Sequence, residues 1–329
     1  MSLPAPVRRE QPEARPGRSC PVSYRYSPTV FDRPPQVEAE VLYVIGGLYG
    51  NVEALDAIER LAAREPVLPT LVFNGDFHWF DVDAGDFAAV SRRVLAHHAL
   101  RGNVETEIAH DEADAGCGCA YPADVSDADV ARSNEIIERL RATARTDATL
   151  RERLGALPMH LVARVAEARV GIVHGDATSL AGWGFAHDRL RQPSHRRWIE
   201  SAFRDARVDV FASTHTCLPA LRRFPVDGRD GVVANNGAAG MPNFAATRFG
   251  LLTRIAAVPF DGDAAVLRES VAGVHVEALR VEYDHERWLA RFLASWTEGS
   301  AAHASYFGRL LRGPAYALPG LESGCPTAA

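Results

Sequence analysis

The segment Leu71-Val-Phe-Asn-Gly-Asp76 constrains the fold more than any other stretch. Three consecutive apolar residues, one β-branched and one aromatic, suit a central strand covered on both faces. The strand stops on Gly75-Asp76, and a glycine there lets the backbone turn sharply. A carboxylate is thereby placed just past the strand's carboxyl end, where open α/β sheets gather their ligands. A second buried strand reads over Val41-Leu-Tyr-Val-Ile45 and runs into Gly46-Gly47-Leu48-Tyr49-Gly50-Asn51. The helix after it carries Val52, Leu55, Ile58 and Leu61 at its apolar positions. Strand, glycine turn, helix and strand make a βαβ start, so parallel strands are expected. The glycine turn matches neither the dinucleotide fingerprint nor the P-loop spacing.

The strand-then-polar pattern recurs along the chain. A short strand ends on Leu100-Arg101-Gly102-Asn103, and Val170-Gly-Ile-Val precedes His174-Gly-Asp176. Val208-Asp-Val-Phe-Ala212 precedes Ser213-Thr-His215-Thr-Cys217. Apolar periodicity predicts helices over 84–98, 127–143, 148–156, 189–205, 285–297 and 301–311. Strands alternate with turns after 218, so that half reads as antiparallel. The domain plan is an arm rich in proline and arginine over 1–37, a domain over 38–283, and a helical extension over 284–329. Residues 105–160 or so read as a helical insertion. It holds Cys117-Gly-Cys119, which lacks a second pair at zinc spacing and reads as structural thiols.

Composition excludes several classes. At 329 residues and 47% hydrophobic content the chain can bury a sizeable core. No apolar run is long enough to span a membrane, and the N-terminus has no signal-like apolar stretch. Five scattered cysteines argue against a disulfide framework, and a reducing, cytoplasmic setting is expected. The formal net charge of −6 makes tight nucleic-acid binding a poor expectation. Every basic residue apart from histidine is arginine, whose planar fork suits local phosphate contacts.

Asp76, Asn103, His174 and His215 thus all stand at strand ends. One carboxylate, one amide oxygen and two imidazoles form a mixed O/N set suited to a divalent transition ion. Their order and spacing resemble the calcineurin-like metallophosphoesterase family, whose motifs run Asp-x-His, Gly-Asp, Gly-Asn, His and Gly-His-x-His. Asn235-Asn-Gly-Ala-Ala-Gly-Met-Pro242 looks like a further turn of that family. The resemblance covers about residues 41–260 and is closest to the small bacterial phosphoesterases. It implies a four-layer αββα sandwich of two mixed β-sheets with a helical insertion. It also implies a metal-dependent phosphomonoesterase or phosphodiesterase that attacks with metal-bound hydroxide. The ion would be manganese, iron, zinc or nickel, in one or two copies. The partner would be a small phosphorylated substrate, with nucleotide-like ones among the candidates. A homo-oligomer stays open.

The departures from the family bear on the chemistry. Gly47 and Tyr49 stand where the first motif has aspartate and histidine, and Cys217 stands where the last has histidine. The resemblance therefore keeps one metal site whole, with Asp76, Asn103, His174 and His215 as ligands. For the other it leaves Asp76, which the two sites share, with Tyr49 and Cys217 as candidate replacements. Two ions roughly 3.5–4 Å apart would clamp a phosphate, whereas a single ion can still act as a Lewis acid. Val104 follows Gly-Asn and cannot protonate a leaving group. His78 is the nearest candidate acid in sequence, and Arg101 a candidate phosphate grip. The competing expectation is a non-catalytic relative that binds a metal or a phosphorylated ligand.

Overall fold

The computed structural model of the chain describes residues 15–111 and 115–318. Two six-stranded sheets stack face to face. The first holds, in spatial order, β11 (Ala265–Val271), β12 (Val274–Val281), β10 (Gly250–Ala256), β2 (Val41–Ile45), β3 (Thr70–Asn74) and β4 (His98–Leu100). The second holds β1 (Val37–Ala39), β5 (His160–Val165), β6 (Ala168–Val173), β7 (Val210–Ser213), β9 (Arg229–Asn235) and β8 (Ala220–Val226). Both sheets are mixed. Strands β2, β3 and β4 run parallel beside antiparallel β10 and β12. In the second sheet β6, β7 and β9 run parallel, flanked by antiparallel β5 and β8.

Alternation along each strand builds the layers. In β2, Leu42 and Val44 face the second sheet and pack with Val170, Ile172, Val210 and Ala212. Tyr43 and Ile45 face outward, against α1 (Val52–Ala62) and α2 (Ala84–Val94). The outer face of the second sheet is covered by α6 (Arg196–Ala206) through Ile199, Ala202 and Phe203. Helix, sheet, sheet, helix is the αββα sandwich expected from the sequence. The helix expected from 189 begins only at Arg196. Pro193 ends one 3₁₀ turn and opens another ahead of it, since proline restricts the residue before it and lacks an N–H.

The insertion supplies α3 (Asn103–Ala109), α4 (Asp127–Ala144) and α5 (Ala148–Gly155). Of these α3 has no periodic signal in the sequence. Two C-terminal helices, α7 (His285–Ser295) and α8 (Ala301–Arg312), pack on the α1–α2 side through Trp288, Phe292 and Leu310. The described part of the N-terminal arm lies on the domain, with Tyr24 and Phe31 buried. Among the described residues no helix is long and apolar enough to cross a membrane.

A candidate metal centre

The sheets are joined at the carboxyl ends of β3 and β6. Asn74 donates its side-chain amide to Val173 O (2.9 Å) and accepts at its backbone carbonyl from His174 Nδ1 (2.9 Å). Asp76 and His174, one residue or two beyond these strands, are thereby held together. The approach leaves no room for side chains in between. A Cβ on Gly75 would lie 2.5 Å from Gly102 N, and one on Gly102 would lie 2.2 Å from Asp76 Oδ1.

Four ligand atoms converge. His174 Nε2 lies 3.0 Å from Asn103 Oδ1, 3.1 Å from His215 Nδ1 and 3.3 Å from Asp76 Oδ2. All four residues are buried. The far side of each neutral ligand is tied down. His174 Nδ1–H donates to the Asn74 carbonyl, and His215 Nε2–H donates to Cys119 O (3.2 Å). Asn103 Nδ2 donates to Cys117 O (2.9 Å). These bonds leave His174 Nε2, His215 Nδ1 and Asn103 Oδ1 as bare lone pairs aimed at one point beside a carboxylate. Lone pairs packed so closely repel unless a positive charge lies among them. Ligand atoms about 2.0–2.2 Å from a shared ion stand roughly 3.0–3.5 Å apart. The residues therefore fit a divalent ion.

Protonation tells the same story. Burial pushes His174 down, but the Asp76 carboxylate, and the hydrogen bond that a proton on Nε2 would make to it, outweigh this, so its pKa is raised; a bound ion would take the place of that proton. Burial and then His174 push His215 down to about 3.

Backbone carbonyls of Cys117-Gly-Cys119 thus orient two of the four ligands, a role the sequence did not disclose. Such outer partners fix the tautomer and the ring plane of a metal-binding histidine. Glu105 was missed as well. Its buried carboxylate accepts from the N–H groups of Asp76 (2.8 Å), Gly102 (2.8 Å) and Phe77 (3.1 Å). It stands third in α3 and reaches back to the N-cap, half of a capping box.

The first-motif residues do not join the cluster. Tyr49 Oη lies 2.9 Å from Cys217 Sγ, and Cys217 in turn donates to His215 O (3.3 Å). Burial raises both pKa values, and the hydroxyl and the thiol bond one another. Asn51 of that motif caps α1 by accepting from Ala54 N (2.9 Å). His78 is not brought to the site. Its ring lies between Asp81 Oδ2 (2.6 Å) and Ser91 Oγ (2.8 Å), stacked on Phe87. Arg101 donates to the Gly155 carbonyl, has a buried Nε without a partner, and does not line the pocket.

The centre opens into a pocket of about 190 Å³ walled by Tyr49, Trp79, Tyr121, Trp183, Tyr306 and Arg309. Trp183 stands edge-on to His215 with ring centroids 5.4 Å apart and donates its indole N–H to Cys119 O (3.1 Å). Its loop is shaped by Asp176, which accepts from Thr178 N, Ser179 N and Gly184 N. Phe185, two residues on, is buried in the core instead.

Two mixed sheets between helix layers are the arrangement of the metallophosphoesterase fold, and the candidate ligands stand at its adjoining strand ends. A metallophosphoesterase from Sphaerobacter thermophilus shares it, with a TM-score of 0.51 and 18% identity, over 84% of this chain and 100% of that one. A hypothetical protein from Pyrococcus horikoshii aligns with a TM-score of 0.57 and 16% identity, over 85% of this chain and 100% of that one. No family model matches the sequence, and no curated protein matches it at a significant level.

Proposed function

We propose that the protein is a metal-dependent phosphoester hydrolase working with one divalent transition ion. The observation that carries this reading is the convergence of four lone-pair atoms whose far sides are tied by hydrogen bonds. Asp76, Asn103, His174 and His215 hold the ion. When bound, it supplies Lewis acidity toward a phosphoryl oxygen and lowers the pKa of a coordinated water. The carbonyls of Asn74, Cys117 and Cys119 keep the ligands oriented. Trp183 and Tyr121, in ring contact with each other, give the pocket an aromatic wall. Val104 offers no proton beside Asn103, so substrates with good leaving groups are favoured. The small pocket suits a phosphoryl group with a compact alcohol, as a monoester or a diester.

The test is metal analysis of protein purified without chelator, then assay of p-nitrophenyl phosphate and bis-p-nitrophenyl phosphate with manganese, nickel, iron and zinc. One ion per chain and turnover with at least one metal are expected. His174→Ala should lower both metal occupancy and kcat/KM, the latter by roughly 100-fold or more. A second reading, a non-catalytic binder of metal or phosphorylated ligand, is favoured by the closed Tyr49–Cys217 pair where relatives of this fold place a second ion. Full metal occupancy without turnover for any ion would decide for it.

A further inference from the structure

Arg309 was not singled out in the sequence, and it is the only arginine on the pocket wall among the described residues. It sits near the end of α8, a helix seated by buried Leu310 and by His285, whose Nε2 bonds the Leu310 carbonyl (2.7 Å). Its head group is held in one orientation. Nη2 donates to Cys217 O (2.6 Å) and Pro242 O (3.1 Å), and Nε donates to Pro242 O (3.2 Å). A guanidinium has five N–H donors, so these three bonds leave both Nη1 protons uncommitted. Among the described residues no carboxylate pairs with Arg309. A fixed, half-buried guanidinium with an open edge on a pocket wall is a site for an anion.

The electrostatics point the same way. The ligand set carries one carboxylate, one neutral amide and two imidazoles. A divalent ion there keeps a net positive charge, and Arg309 adds another in the same pocket. We propose that Arg309 grips the non-bridging oxygens of the substrate's phosphoryl group through Nη1, the role the sequence suggested for Arg101. This assignment rests on the phosphoester reading above. It makes the C-terminal helical extension part of the active site.

The test uses the full chain loaded with manganese and reads inorganic phosphate binding by calorimetry, alongside KM and kcat for p-nitrophenyl phosphate. Arg309→Gln should weaken phosphate binding by roughly 10- to 100-fold, raise KM more than it lowers kcat, and leave metal stoichiometry unchanged. Arg309→Lys should recover part of the loss, because it restores charge without the fork. Millimolar guanidinium should restore phosphate binding to Arg309→Ala, while the rise of KM over the fall of kcat in Arg309→Gln separates a phosphate contact from a merely structural role. Unchanged phosphate affinity and KM in Arg309→Gln, with an active wild type, would overturn the assignment and leave the hydrolase reading standing. A metal-loaded wild type that neither binds phosphate nor turns over substrate would overturn both.

Discussion

Asp76 adopts a left-handed backbone conformation (φ +52°), and so do Tyr49, His215 and Cys217 on the same pocket. Non-glycine residues held there cost roughly 1–3 kcal/mol each, and such strain collects where surroundings over-determine the backbone. At Asp76 the compensating group is Glu105, whose carboxylate gathers the amides of the turn. Burial and the nearby Asp76 carboxylate raise its pKa, opposed by His78 and the donated N–H groups. Glu105→Gln would set an amide NH₂ against backbone donors. A stability loss of about 1–3 kcal/mol is expected, read by urea denaturation. Metal affinity should fall about tenfold, in line with losses from other outer-shell changes. Unchanged metal affinity would mean that Asp76 holds its conformation without Glu105.

At the scale of elements, the insertion acts through its backbone. Cys117 and Cys119 contribute carbonyl oxygens to Asn103 and His215, while the intervening Gly118 has φ +66°. A Cβ on Gly118 would lie 2.5 Å from Tyr24 Oη and 2.9 Å from Glu107 Cγ. Cys119 Sγ also accepts a long bond from Asn103 Nδ2 (3.6 Å). Cys117→Ala and Cys119→Ala are nonetheless expected to keep metal stoichiometry, losing about 1 kcal/mol of packing energy and, at Cys119, that bond. Gly118→Val should cost metal affinity by at least about tenfold, because it displaces both carbonyls. Metal loss in the alanine variants would transfer the role to the thiols.

At the scale of the whole molecule, the N-terminal arm is clamped over β5 by His160. Arg33 donates to its Nδ1 (2.9 Å), and Tyr26 and Phe31 meet the ring edge to face. Burial and then Arg33 push its pKa down to about 4. The unfolded chain, with a histidine pKa of about 6.5, binds this proton first. Stability is therefore full above about pH 6.5 and falls as pH drops toward 4. The melting temperature of His160→Gln should fall less steeply over that window than that of the wild type. Parallel slopes would remove His160 as a cause.

Much of the fold was legible because its signals are local. The apolar runs of β2, β3 and β6 mark buried strands by composition alone, and α1, α4 and α7 announce themselves by period and by caps at Asn51, Ser126 and Asp284. The four metal-ligand candidates were legible for a related reason, since each stands within three residues of a strand's carboxyl end. His78 and Arg101 misled because nearness in sequence to Asp76 and Asn103 does not fix where a side chain points. Arg309 meets Cys217 across 92 residues, and His215 meets Cys119 across 96. The sequence by itself named candidate ion-binding atoms and the strand ends that carry them, because both are written in short stretches. Only the tertiary structure decided what orients those atoms and which cation faces them, because those partners come from distant segments joined by packing.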